Sequence, residues 1–318
     1  MSCHDPIESS SRQPANIALV SDLPVHLRFI RHLLRRLNYH LSPKPAESIL
    51  DPFDAIKLRT IEAALRDLPA ESDGARQYLE KHIPRLARTL ALVPPPESTG
   101  RVLELGCYMQ ITPLLEHLCG YREVRGAYFG PLGRTDQKTV HFPDRDFHCE
   151  VDHFDAERDR FPYPDNHFDL VIAGEIIEHM IYDPMYLLLE SQRVLRDGGH
   201  LLVTTPNIAG LASVAKALEG KDNPQIYPHY KRPDSEPEIG HMREYTAWET
   251  GEAVKAAGFE IERLFTTVIE EYAGHWPLLK LLEEEGYSTE HRGEQTWCLA
   301  KKRSGLPIDR FPSFIYGP

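Results

Sequence analysis

Phe161-Pro162-Tyr163-Pro164-Asp165-Asn166-His167-Phe168-Asp169-Leu170-Val171-Ile172 runs from a turn into an apolar strand, and Glu175-Ile176-Ile177-Glu178-His179 follows directly. Arg193-Val194-Leu195-Arg196-Asp197 then closes a helical stretch. Gly198-Gly199 reads as its C-terminal stop, and Leu201-Leu202-Val203-Thr204-Thr205-Pro206-Asn207 opens the next strand. Outward from this tract the same alternation repeats. Apolar runs stand at Val102–Leu105, Val124–Tyr128, Phe168–Ala173, His200–Thr205, Phe259–Val268 and Thr296–Ala300, with a weaker one at Phe147–Val151. Helical stretches lie between them at Thr112–Leu118, Pro184–Leu195 and Thr246–Ala257. Strands alternating with helices predict an α/β fold, a mostly parallel sheet covered on both faces. The last two runs have no strong helical stretch between them, which predicts an antiparallel strand at one edge.

Before this tract the period changes. Leu27, Ile30, Leu33, Leu34 and Leu37 form one stripe, and Ala55–Leu68 and Ala75–Leu92 carry similar ones. Pro94-Pro95-Pro96 reads as a stiff linker. The expected organisation is a disordered tail at 1–15, an α-helical extension at 16–96, the α/β domain at 97–303 and a C-terminal tail at 304–318. Within the domain, 208–245 is a Pro-rich insertion, read as a lid or a plain surface insertion. Tyr227, His229 and Tyr230 could line it or pin it down. Asp22, Asp51 and Asp54 read as turn and cap groups. Trp276 and Trp297 read as packing residues, and Asp169 as a strand-entry hydrogen-bond partner.

The 318 residues carry a net charge of −12, which argues against affinity for polyphosphate backbones and makes a nucleic-acid partner unlikely as an expectation. Arg28, Arg31, Arg35 and Arg36 sit at helical spacing beside leucines, as the wet side of a helix. The five cysteines form no C-x-x-C pair, so neither a disulfide framework nor a thiolate zinc site is indicated. No apolar run approaches the ~18–20 residues that span a bilayer. With no secretory signal in Met1–Ser11, a cytoplasmic location is the expectation.

Val102-Leu103-Glu104-Leu105-Gly106-Cys107 is an apolar strand ending in glycine before a helix. Such a turn lets a ligand approach backbone closely, but many α/β proteins have one. The tract Asp155–Asn207 is more specific. It resembles the class I S-adenosylmethionine (SAM)-dependent methyltransferases in its acidic residue, Phe-Pro turn, fourth strand, Glu-x-x-Glu-His, Arg-Val-Leu and Gly-Gly fifth strand. His241-Met242-Arg243-Glu244-Tyr245-Thr246 and Ala256-Ala257-Gly258-Phe259 also look like this family. The likeness covers about 200 residues.

The resemblance implies a Rossmann-like, doubly wound, seven-stranded sheet of order 3-2-1-4-5-7-6. SAM would lie across the carboxyl ends of its strands. Glu104 and Gly106 match the first cofactor motif, and Cys107 and Tyr108 continue its turn. Asp155, followed by Ala156, matches the acidic position that faces the adenine. Gly174 and Glu175 match the loop below the methionine and methyl group. Two departures stand out. The family's Gly-x-Gly-x-Gly is reduced to Gly106, so bulky Tyr108 must turn away or pack on the cofactor. The acidic end of strand two is replaced by Tyr128, whose phenol bonds a hydroxyl less strongly than a carboxylate would. A branch with a similar Leu-Gly-x-x-Tyr turn and Tyr-Phe-Gly strand end is associated with glycan or secondary-metabolite modification.

Methyl transfer from a sulfonium needs an aligned nucleophile and, where required, a base. Glu175, His179 and His241 are the catalytic candidates, histidine being suited to proton transfer near neutral pH. Glu175, Glu178 and His179 stand at i, i+3 and i+4 and would converge on one helical turn. With His241 they would make a site for Mg²⁺ or a similar divalent ion. The pattern looks like the metal-binding tract of ubiquinone-pathway and small-RNA 2′-O-methyltransferases. The alternatives are metal-free contact with the acceptor and local packing. His241, Arg243 and Tyr245 could close over the pocket or anchor the last helix. The leading expectation is O- or N-methylation of a small-molecule or sugar-containing acceptor. The helical extension would then cover the acceptor side or form a homodimer interface. Rival readings are a non-catalytic scaffold that has lost SAM and a metal-dependent RNA-end 2′-O-methyltransferase.

Overall fold

The computed structural model describes residues 52–69, 72–97, 100–143, 145–226, 240–269 and 276–318. The stripe at Leu27–Leu37, the arginines at 28–36, Asp22, Asp51, Tyr227, His229 and Tyr230 lie outside the described residues, as does the Trp276 side chain.

Among the described residues, two helices precede the sheet. α1 (Ala55–Arg66) starts where the Asp54 carboxylate accepts the N–H groups of Ile56 and Lys57 at 2.9 and 2.7 Å. α2 (Asp73–Leu92) starts on Ser72, whose hydroxyl accepts from Ala75 at 3.1 Å. Arg76 joins them, donating to the carbonyls of Arg66 and Leu68 at 3.0 and 2.6 Å. Leu58, Ile61 and Leu65 of α1 and Leu79, Ile83, Leu86 and Leu90 of α2 are buried, the i, i+3, i+4, i+7 face expected of a core helix.

Among the described residues eight strands follow: β1 (Arg101–Leu105), β2 (Glu123–Tyr128), β3 (Thr135–His141), β4 (Asp146–His153), β5 (Phe168–Gly174), β6 (Leu195–Pro206), β7 (Phe259–Thr267) and β8 (Gln295–Lys302). Between them lie α3 (Thr112–His117), α4 (Pro184–Val194), α5 (Leu211–Glu219), α6 (Ala247–Ala256) and α7 (Trp276–Glu284), and α8 (Ser313–Tyr316) closes the chain. The sheet order is β3-β4-β2-β1-β5-β6-β8-β7. With β3 set aside, this is the expected 3-2-1-4-5-7-6. β8 runs antiparallel to both β6 and β7, so an antiparallel strand is present as expected, but it lies inside the sheet: β7 holds the edge, and the helix Trp276–Glu284 stands between the two final runs.

The seven-stranded expectation needs correction to eight. β3 adds an antiparallel edge to β4. Its sequence, Thr-Asp-Gln-Lys-Thr-Val-His, buries no residue fully, so it lacks the apolar signal of a core strand.

Alternate residues of the central strands β1, β5, β6 and β8 feed two cores. Val102, Leu170, Ile172, Leu202, Trp297 and Leu299 pack with the apolar faces of α1 and α2. Leu103, Leu105, Val171, Ala173, Leu201 and Val203 pack with Met185 and Leu188 of α4 and Val254 of α6. Asp169 locks the base of β5, accepting from the backbone of Gly100 and Arg101 and from the Arg196 guanidinium. The 304–318 segment is tied down by Arg310 and the Tyr316 hydroxyl on Asp183, and Trp248 packs on Phe314 with ring centroids 5.5 Å apart. No described helix is long and apolar enough to cross a membrane.

The Gly198-Gly199 stop also needs correction. α4 ends at Val194, and both glycines lie inside β6. Gly198 has φ 75°. A Cβ on Gly199 would stand 2.9 Å from the Arg196 carbonyl oxygen and 3.1 Å from those of Asp169 and Phe168. These are backbone atoms with little room to yield. Gly199→Ala is therefore expected to lower unfolding stability by about 1–3 kcal/mol. Urea denaturation checks this, and an unchanged midpoint would show that the contact relaxes freely.

Candidate active site

The parallel strands β1, β2, β4, β5 and β6 end at one edge, where chain turns hold most of the candidate residues. After β1 the backbone turns through Gly106 at φ 66°. A Cβ there would sit 3.1 Å from the Ile176 side chain, so the bare position suits both the backbone and the space. Glu104, near the end of β1, is buried, and its Oε2 has no hydrogen-bond partner. Burial pushes its carboxyl well above the usual range; the nearby Cys107 adds to this, and the Thr112 hydroxyl opposes it. Cys107 donates its N–H to the Ala127 carbonyl at 2.9 Å and is buried beside Thr112. The Cys149 thiol first, then burial, holds its own thiol well above the ordinary range.

Tyr108 turns outward and is 64% exposed. The Tyr128 hydroxyl donates to the Tyr108 hydroxyl at 3.1 Å, with the rings perpendicular at 5.1 Å. The end of strand two thus carries a pair of phenols. On the next strand His153 meets Asp136 of β3 at 2.9 Å and lies edge-on to Tyr128. Asp155 accepts the Glu157 N–H at 2.9 Å, and Ala156 packs at the rim of the core.

Gly174 ends β5 in roomier surroundings, where a Cβ would meet only the Thr204 hydroxyl, at an ordinary 3.4 Å. Glu175 follows at φ 55°, a left-handed conformation unusual for a side chain of its size. Its Oε1 accepts from the Thr204 hydroxyl and the Gln295 amide, both at 2.7 Å, and Arg85 of α2 stands 3.8 Å away. A single 3-10 turn, Ile177–His179, follows instead of an α-helical one. It sets Glu178 against Thr205 and His179 against Gly240, while Glu175 pairs with Thr204 and Gln295.

Glu178 is fully buried. Its Oε2 accepts from Thr205 at 2.9 Å, whereas Oε1 has no partner. Burial, then the Glu175 charge, pushes this carboxyl well above the usual range. His179 Nδ1 lies 3.2 Å from the Gly240 carbonyl, and His241 Nδ1 lies 2.7 Å from the Glu244 carboxylate. The two imidazole rings are perpendicular at 4.8 Å. Glu178, His179 and His241 each offer a ligand atom within 4.8 Å of the others. Glu175 does not join this trio. Of the other two residues read as pocket-closing or helix-anchoring, Arg243 pairs with Glu249 at 2.6 Å and Tyr245 is buried in the core.

Sequence reading missed Arg85, Gln295, Thr204, Thr205 and Glu244. Arg85 and Gln295 are distant in sequence and carry no pattern of their own. Glu244 lies in the His241–Thr246 tract and could have been read as a partner of His241 three residues earlier. The middle of α2 also reaches this edge through Arg85. Arg85 donates to the Tyr78 hydroxyl at 3.4 Å, and the Tyr78 and His82 rings are 4.2 Å apart.

Residues 74–264 match a family model described as a methyltransferase domain. Among curated proteins, the chain is similar to a probable S-adenosylmethionine-dependent methyltransferase of Mycolicibacterium smegmatis, 36% identical over 101 residues, 32% of each chain. It is also similar to the 27-O-demethylrifamycin SV methyltransferase of Amycolatopsis mediterranei, 30% identical over 154 residues, 46% of this chain and 54% of that one. The chain thus spans about a third and about half of these relatives. A SAM-dependent methyltransferase structure from Archaeoglobus fulgidus aligns with TM-score 0.46 and 17% identity over 71% of this chain and 99% of that one.

Burial, with Arg85 and Lys81 nearby, pushes the His82 imidazole down to about 4 from 6.5. Between those values the unfolded chain binds the proton that the native chain refuses. The His82 contribution is therefore complete above pH 6.5 and is lost as pH falls toward 4. His82→Gln is expected to flatten the acid limb of stability in that window. Denaturation midpoints from about pH 4 to 7 measure it, and parallel curves for both proteins would refute the assignment.

Proposed function

The chain belongs to the methyltransferase-domain family, and from that premise we propose that it moves a methyl group from SAM to an oxygen or nitrogen of a small-molecule or sugar-containing acceptor. The observation that carries this reading is the β1 turn. A left-handed Gly106 lies beside a buried Glu104 with one oxygen unpartnered, at the edge where open α/β sheets take ligands. The sulfonium of SAM, when bound, supplies an already activated methyl group.

The residues present fit such a donor. Glu104 Oε2 is an unspent acceptor, and Gly106 leaves backbone bare. Tyr108 and Tyr128 offer phenolic oxygens where ribose hydroxyls would be held, with Asp155 and Ala156 beyond them toward the adenine. Cys107 and Gly174 line the turns on either side. Arg85 would hold the donor's carboxylate. Its described partners are one long hydrogen bond and one ion pair at 3.8 Å, few for a guanidinium with five donors. On the acceptor side Glu175 has Oε1 fixed by two donors, which leaves Oε2 to meet the nucleophile. His179 and His241 stand next along the chain path as proton acceptors. The rifamycin relative's small-molecule acceptor and the acidic balance of this chain support a small acceptor.

A second reading adds a divalent ion, Mg²⁺ or similar, and Glu178 Oε1 favours it. A fully buried carboxylate oxygen without a partner beside two imidazoles is a costly arrangement unless a cation completes it. Glu178, His179 and His241 would hold the ion. Glu175 would stand outside the set, free to contact the acceptor. Such an ion lowers the pKa of a bound hydroxyl.

Calorimetry with SAM and S-adenosylhomocysteine is expected to show binding. Gly106→Val should weaken it by roughly ten- to a hundredfold, the equivalent of about 1–3 kcal/mol of backbone strain. Absence of heat with the parent protein would leave the scaffold reading in place. For the ion, Mn²⁺ is expected to bind more tightly as pH rises, because Glu178 must give up its proton. Glu178→Gln should weaken that binding by at least roughly tenfold. Equal affinity in both proteins would remove Glu178 from the set.

A further inference from the structure

Three successive N–H groups end on one side chain. Glu157 Oε1 accepts from Ile181 at 3.0 Å, and Oε2 accepts from Tyr182 and Asp183 at 2.5 and 2.9 Å. Residues 181–183 belong to no helix or strand. Ile181 and Tyr182 are exposed, so packing does little to fix this stretch of chain. One carboxylate fixes it instead, through charge-assisted bonds of the stronger kind. The neighbouring Arg158 adds a second grip, its guanidinium standing 3.8 Å over the Tyr182 ring.

This grip joins two turns of the open edge. On one side, Glu157 follows Asp155 and Ala156 after β4. Its own N–H is held by the Asp155 carboxylate at 2.9 Å, and Asp159 accepts the Asp155 N–H at 2.8 Å, so the loop is braced from within. On the other side, 181–183 continues the chain from the 3-10 turn Ile177–His179. Asp183 then starts α4, accepting the Tyr186 N–H at 3.1 Å. The turn that carries Glu178 therefore hangs between the tip of β5 and a point fastened to the β4 loop.

We propose that Glu157 is the positioning residue of the turn after β5: it fastens 181–183 to the 155–157 loop, so that a donor resting on that loop stiffens the turn bearing Glu178 and His179. The purpose rests on the methyl-transfer reading, in which Asp155 and Ala156 lie toward the adenine. Donor and acceptor sides are then coupled through one carboxylate, and the acceptor meets a better ordered turn once the donor is bound. Such coupling is reciprocal, so an acceptor that settles the turn also favours the donor. Without the Glu157 carboxylate the three N–H groups would turn to water, because this stretch already lies at the surface. The fold would persist while the turn loosened.

Hydrogen–deuterium exchange read by mass spectrometry tests this on the full chain, with calorimetry establishing saturation by S-adenosylhomocysteine. In the parent protein the ligand should slow exchange at 181–183 by at least roughly fivefold, the lower end of usual coupling between sites. Without ligand, Glu157→Ala should speed exchange there at least roughly tenfold, as the loss of bonds to a charged group implies. The ligand should then no longer slow it. Glu157→Gln keeps one acceptor oxygen and should fall between the two, a graded rescue that a mere fold defect would not give. It also decides the matter should the alanine variant not fold. Exchange within β1 and β5 should stay as in the parent. Parent-like exchange at 181–183 in either variant would overturn the proposal. So would a rise spreading through β5, which marks general loosening, or bound ligand that leaves 181–183 unchanged in the parent. Absence of any ligand heat would instead strike the methyl-transfer reading and the coupling built on it. The comparison of parent with Glu157→Ala still decides the grip itself in that case.

Discussion

Burying a carboxyl group with one oxygen unsatisfied is among the more expensive things a fold can do, and the chain does it at Glu178. The cost is local, but the geometry that imposes it is not. Glu178 hangs from a 3-10 turn that begins beyond a left-handed residue at the tip of β5. β5 in turn lies between β1 and β6 in the middle of the sheet, with apolar residues pointing to both cores. Nothing in that interior can shift to relieve one side chain. The surroundings therefore had to be built to suit it, with Thr205 on one oxygen and two imidazoles close to the carboxyl group.

The left-handed step at Glu175 parts two carboxylates that the sequence places three residues apart. An α-helical turn would stack them on one face. The observed turn sends Glu175 to Thr204 and Gln295, and Glu178 to Thr205. Neighbouring threonines of a strand point to opposite faces of the sheet, so Thr204 and Thr205 sort the two carboxylates apart. The result is one acidic group with an oxygen at the open edge and another sealed beneath it.

Much of this was legible in the chain. The apolar runs marked seven strands, most clearly the central ones that bury residues on two faces, and the strand order followed from the family likeness. The Glu-x-x-Glu-His tract, with His241, drew attention to the right residues. Its spacing could not disclose that the turn is tight instead of helical, because a positive φ at a glutamate has no sequence signature. Arg85 and Gln295 were invisible for a different reason: they reach Glu175 from remote segments, and only the folded sheet brings them there. β3 was hidden by composition. A strand with water on its edge need not be apolar, and Thr135–His141 is not.

That hidden strand has a bearing on how copies of the chain could meet. Without it, β4 would present a row of bare amides and carbonyls to any strand able to lie alongside. With it, the outermost ribbon carries Thr135, Gln137, Thr139 and His141 facing water, and Lys138 between them. A second sheet joining there would have to dehydrate those polar groups for little apolar gain. Association by continuous sheet growth is thus discouraged on this flank of the sheet.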